Sequence, residues 1–190
     1  PSLFADLSLI VTLLLVVTFL TAPIQMTSAR YSAIHTADGD LKKLASLRRF
    51  IWFAALGLGL TLMLFFVLLA PVLRNFFHTQ SSLPFVIFGT ALPFSMLQAV
   101  ERGMLQGRTN FKILAISYQV EMWSRLLVSI LLVALGLSVN GAVIGISLSF
   151  VFTWLIARSA VTGLESQEDI SKEIRIELLA FATPVLVSQL

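Results

Sequence analysis

Long apolar blocks separated by short polar stretches constrain this chain more than anything else in it. A backbone surrounded by lipid has no water to bond with, so it crosses a membrane only as a helix or a closed barrel. The blocks run from Leu3 to Thr21, Phe50 to Leu73, Leu83 to about Met104, Phe111 to Leu137 and Gly141 to Ala157, close to the roughly 20 residues that a helical crossing needs. A sixth apolar run, Phe181 to Leu190, opens at the end of the sequence. No alternating β pattern competes. Only 12% of the residues are charged and 57% are hydrophobic, whereas a soluble domain carries roughly 25% charge. The sequence therefore predicts an all-α, polytopic transmembrane helix bundle with five spans and the start of a sixth.

Residues 1–160 hold the five spans. Residues 161–177 form a polar connector in which Ile170 and Ile174, followed by Leu178, recur at helical spacing, the mark of an amphipathic surface helix. Residues 178–190 begin the next span. Pro1 in place of an initiating Met, and the final apolar run, read as a piece of a longer chain. The opening segment lacks the basic region and cleavage site of a signal peptide. Gly89 and Pro93 lie in mid-span three and predict a bend there. Gly136–Asn140 predicts a tight turn that makes spans four and five a hairpin.

Arg30, Lys42, Lys43, Arg48 and Arg49 follow span one; Arg102, Arg108 and Lys112 follow span three; Arg158, Lys172 and Arg175 follow span five. The other two connections hold only Arg74 and nothing. The positive-inside rule makes the first, third and fifth connections cytoplasmic, so residue 1 lies on the outer side. These cations set topology and do not imply a nucleic-acid partner.

Charge inside a span is where function is sought. Glu121 and Arg125 lie four apart near the middle of span four, and a charge there costs roughly 2.5–3.5 kcal/mol on the insertion scale. With Ser117 and Ser129 they form a stripe down one face, with Ser124 beside it. The stripe faces inward, either as an ion pair that locks the helix to its neighbours or as part of a substrate pathway. Gln98 and Arg102 repeat the spacing in span three, where Arg102 either joins the site or snorkels to the cytoplasmic headgroups. Asp6 is either an ion-coupling carboxylate or a solvated residue at a helix start. The stripe Gly141, Gly145, Ser149 and Thr153 is a close-packing surface. Without Cys, and with two distant His, the chain offers no metal site. It also lacks a nucleotide loop, H-E-x-x-H or G-x-S-x-G, so neither a cofactor nor a catalytic constellation is expected.

Three stretches, Ile24 to Tyr31, Glu101 to Phe111, and Glu121 with Arg125-Leu126-Leu127, resemble the multidrug/oligosaccharidyl-lipid/polysaccharide (MOP) flippase superfamily and its polysaccharide-transporter branch. Arg175 to Pro184 resembles the entry to that family's second lobe. The resemblance implies a MATE/MOP-like fold of two six-helix lobes around a central cavity, of which this chain holds most of one lobe. It implies an alternating-access carrier in the cytoplasmic (inner) membrane that flips undecaprenyl-diphosphate-linked oligosaccharide, in contact with membrane lipids and with polysaccharide polymerase machinery. On this view Arg125 binds phosphate in the lumen, Glu121 orients it, Gln98 lies nearby, and Arg102 and Arg30 flank the cytoplasmic mouth. The competing readings are an ion-coupled multidrug or cation antiporter of the same superfamily, a polytopic glycan polymerase or ligase, and a membrane scaffold.

Overall fold

The computed structural model describes residues 2–77 and 81–161, with the side chains of residues 2–11, 13 and 16 outside that description. Five α-helices follow in order: α1 (Ser2–Ala37), α2 (Leu41–Phe77), α3 (Leu83–Gly107), α4 (Phe111–Leu132) and α5 (Ser138–Ser159). The expected connector, beyond Val161, and the expected sixth span lie outside the described residues. Leu41–Phe77, Leu83–Gly107 and Phe111–Ser159 are long and apolar enough to cross a membrane.

The last of these stretches is a hairpin. Arg125 meets Ser149, Ser129 meets Gly145 and Leu132 meets Gly141, so α5 retraces α4 in the opposite direction. The reversal comes at Val133–Leu137, where Gly136 has φ 89° and Ser138 φ 46°. That is about three residues earlier than the expected turn, because Gly136 supplies the left-handed step at little steric cost and Val139 and Asn140 already belong to α5. Arg48 with Glu101 and Gly59 with Pro93 make α2 antiparallel to α3. Ser32 with Met104, and Ser147 with Ile87, make α1, α3 and α5 run the same way. The directions alternate, as the charge pattern requires.

The helices outrun their apolar blocks. At about 1.5 Å per residue, the 37 residues of α2 reach about 55 Å, against a hydrocarbon core of roughly 30 Å. Arg30, Lys42, Lys43, Arg48 and Arg49 therefore stand on helices and not in a loop; the first connection shrinks to Asp38–Asp40. Polar sequence beyond the bilayer keeps its helix because water, like lipid, permits one. The turn closes with Asp40 N–H donating to His35 O across left-handed Gly39. The Asp40 carboxylate then accepts from Lys43 N–H at 3.0 Å and caps α2. Asn110 does the same for α4 through Ile113 N–H, after Thr109 takes the left-handed step.

α3 is the central helix. Eighteen of its 25 residues are buried, and Phe85, Phe88, Leu92, Met96, Val100 and Met104 form the spine of the core. It runs unbroken through Pro93, against which Gly59 of α2 packs so closely that a Cβ there would sit 2.6 Å from the Pro93 Cα. Gly103 and Gly107 form a G-x-x-x-G pair facing α1; a Cβ on Gly103 would lie 2.5 Å from Gln25 O, and one on Gly107 2.6 Å from the Ser32 Cβ. Small residues let backbones meet where lipid gives no hydrophobic push. α4 is the opposite case, burying only Ser117 and turning Met122, Trp123, Leu127 and Leu131 outward.

Candidate functional site

The predicted stripe on α4 faces inward, as expected, and collects a third charged group from α3. Arg102, only 5% exposed, does not snorkel. It lies five residues before the end of α3 at Gly107, and α4 offers an acceptor to each of its three nitrogens. Its Nε donates to Ser117 Oγ at 3.1 Å and its Nη2 to Ser117 O at 3.0 Å. Its Nη1 meets Glu121 Oε2 at 2.7 Å, and the guanidinium lies 3.9 Å from the centre of the Tyr118 ring. Arg102 thus lies inside the lobe, nearer the start of α4 than Arg125 does.

Glu121 is divided between two arginines, since its other oxygen, Oε1, accepts from Arg125 Nη2. Arg125 also approaches Ser149 Oγ at 3.4 Å and lies 5.6 Å from the Phe150 ring centre. The small-residue stripe of α5 is therefore more than a packing surface: Gly141 and Gly145 bring α5 against α4, and Ser149 then supplies an acceptor to the charged cluster. The two arginines differ in commitment. Arg102 bonds to α4 through each of its three nitrogens, whereas Arg125, among the described residues, bonds through Nε and Nη2 and keeps the N–H groups of Nη1.

Both arginines and Glu121 line a cavity of about 330 Å³ between α1, α3, α4 and α5, together with Gln25, Gln98 and Tyr118. Its charged lining amounts to two guanidiniums and one carboxylate, an excess of one positive charge. Gln98, 6% exposed, has an amide oxygen with no partner among the described residues. Gln25 Nε2 lies 3.1 Å from the Tyr118 hydroxyl and 3.2 Å from Gln106 Oε1, so α1 is tied to the ring that stacks on Arg102. Gln25 and Tyr118 were not candidates from sequence; their only signal was polarity next to the predicted stripe.

Arg30 lies exposed on α1 beside Tyr31 and does not line the cavity. Asp6 is on α1, about 12 Å before Leu14, the first of the described α1 side chains on the cavity; its own side chain lies outside the described residues. A second buried carboxylate went unrecognised in the sequence. Glu101, fully buried, takes a forked pair of bonds from Arg48 of α2, Nε to Oε2 at 3.0 Å and Nη2 to Oε1 at 2.7 Å. Its signal was the Glu101-Arg102 doublet at the end of an apolar span. Among the described residues no group of His, Cys, Asp and Glu could hold a metal ion.

No protein-family model matches this chain, and no curated protein does. Solved structures do. An inward-facing multidrug resistance MATE family transporter of the MOP superfamily superposes with a TM-score of 0.83 at 17% identity, covering 100% of this chain and 46% of its own. An outward-facing one gives 0.81 at 18%, covering 100% and 45%. A MOP superfamily transporter from Pyrococcus furiosus, described by the reverse polarity of its binding pocket and the different function this suggests, gives 0.81 at 18%, covering 97% and 44%. The chain spans a little under half the length of the structures it matches. At such identities the likeness is one of fold, and the fold is that of MATE-type transporters of the MOP superfamily.

Proposed function

We propose that this chain is one lobe of an alternating-access carrier that flips undecaprenyl-diphosphate-linked oligosaccharide across the cytoplasmic membrane, delivering it to polysaccharide polymerase machinery. The observation that carries this reading is the composition of the cavity: two arginines against a single glutamate that both of them occupy. Guanidinium matches the geometry of phosphate oxygens and stays charged at any pH a cell meets. Arg102 anchors Glu121, Glu121 orients Arg125, and Arg125 presents its free N–H groups to the diphosphate. The likeness to both an inward-facing and an outward-facing structure supports a lobe that keeps its internal packing while access alternates.

The test is surface polysaccharide in cells whose own copy is replaced by Arg125→Ala or Arg125→Lys, with membrane insertion checked. Losing a charge-assisted contact to phosphate lowers export by roughly tenfold or more in the Ala variant, with Lys intermediate. Normal export in the Ala variant overturns the proposal.

A second reading, an ion-coupled multidrug antiporter, draws on the multidrug transporters among the similar structures. Coupling to a cation needs a carboxylate free to take it up, and Glu121 is engaged on both oxygens. Drug resistance that survives Arg125→Ala but is lost with Asp6→Asn would favour this reading over the first.

A further inference from the structure

Resting on the reading of Arg125 as a phosphate ligand, we propose that the cavity within the lobe is a two-point site for a single phosphorylated sugar, and that Gln98 reads the sugar. Two observations converge on it. Arg125, among the described residues, leaves a whole Nη1 amino group unbonded on the cavity, whereas Arg102 engages each of its three nitrogens. Gln98 lines the same cavity, is 6% exposed, and carries an amide oxygen that bonds to nothing among the described residues. A buried amide left unpaired is costly, so such groups are nearly always satisfied. Gln98 is one of four described residues with such an atom, and of these it alone lines the cavity, a space that a ligand can enter.

The cavity's size and chemistry define that ligand. About 330 Å³ is at the small end of the roughly 300–1,000 Å³ of small-molecule sites, enough for one sugar with its phosphate and too small for an oligosaccharide. The terminal torsion of glutamine is broad and roughly two-fold, so Gln98 can offer either its oxygen or its nitrogen. A sugar hydroxyl is both donor and acceptor and satisfies either end. Phosphate alone would satisfy Arg125 and leave Gln98 unpaired; the phosphate with the sugar attached satisfies both. The lobe thereby recognises the sugar next to the diphosphate, and longer repeat units extend out of the cavity.

The experiment titrates the whole protein in lipid nanodiscs with glucose 1-phosphate, inorganic phosphate and glucose, for wild type, Gln98→Met and Arg125→Ala. In wild type, glucose 1-phosphate binds about tenfold more tightly than inorganic phosphate, the gain of one otherwise unmade buried bond, and glucose alone binds too weakly to saturate. Gln98→Met, close in length and volume, removes that preference and leaves phosphate affinity unchanged; Arg125→Ala weakens both phosphates. If Gln98→Met fails to insert, Gln98→Asn withdraws the amide by one methylene and gives the same loss of preference. Equal affinity for the two phosphates in wild type, or a preference that persists without the Gln98 amide, overturns the inference. The proposed function has a separate point of failure, since equal phosphate affinities alongside export that still needs Arg125 would sink only the Gln98 site.

Discussion

Glu101 and Arg102 are neighbours on α3, yet they build two clusters of opposite character. Glu101 turns to α2 and meets Arg48 in a one-to-one fork that uses both carboxylate oxygens. Arg102 turns to α4 and enters a cluster with one carboxylate for two guanidiniums, on the wall of a cavity. The step of about 100° between successive helical residues is what sends them to different helices. A balanced pair with Glu101 fully buried lies off the cavity and acts as a fastener between α2 and α3. An unbalanced cluster with spare donors on a cavity is poised to bind an anion. Being buried and charged, therefore, does not mark function by itself; the count of partners does.

Removing half of the fastener should have the largest effect on stability. Glu101→Ala strands Arg48, and breaking a buried pair costs about 3–5 kcal/mol. The expected outcome is a large fall in the yield of folded protein and in its thermal midpoint in detergent. Replacing both partners, as Arg48→Met with Glu101→Leu, restores most of the loss because no charge is left stranded. If the double variant is no better than the single one, the pair has a role beyond fastening and the contrast between the clusters fails.

Arg102→Lys comes next. An ammonium cannot reproduce the forked bonds to Ser117 and Glu121 or the flat stacking on Tyr118, so losing one or two of these should cost about 1–3 kcal/mol. Because Arg102 positions Glu121 and already bonds through each of its three nitrogens, affinity for inorganic phosphate should fall less than in Arg125→Ala. A variant that keeps its stability and loses phosphate binding as completely as Arg125→Ala would place Arg102 on the ligand itself.

Much of this was legible in the sequence. Hydropathy marked the helices, Lys and Arg gave their alternating direction, and the four-residue spacing of Glu121 and Arg125 placed them on an inward face. What sequence could not supply was the partner across helices. Arg102 reads equally well as a snorkelling residue or a buried one, because that depends on whether α4 supplies acceptors within reach, a matter of packing and not of spacing. Glu101 hid beside it, since a carboxylate near a span's end looks solvated until the Arg48 fork, 53 residues away in sequence, is in view. Helix lengths were underestimated because hydropathy registers the lipid-embedded part, whereas α1 and α2 continue past it.

The exposed pair Asp40 with Lys43 supplies the baseline for both clusters and the smallest expected effect. The Lys43 backbone N–H, and then its side chain, hold the Asp40 carboxyl below its ordinary 3.8. A carboxyl depressed by folding contributes stability that is present above the unfolded value and lost as pH falls through the lower folded one. Asn110 caps α4 without a charge, so Asp40→Asn makes the turn between α1 and α2 resemble the one between α3 and α4: the cap remains and the titration disappears. The variant should match wild type within error at pH 7 and lose less stability than wild type does between pH 5 and pH 3, measured as thermal midpoint. The salt bridge beside the cap spans Lys43 Nζ to Asp40 Oδ2 at 3.0 Å in the open, where such pairs add little, so high salt should leave the comparison at pH 7 unmoved. A marked loss at pH 7 would mean that the charge, and not the cap, holds this turn, and that even the exposed pair belongs with the fasteners.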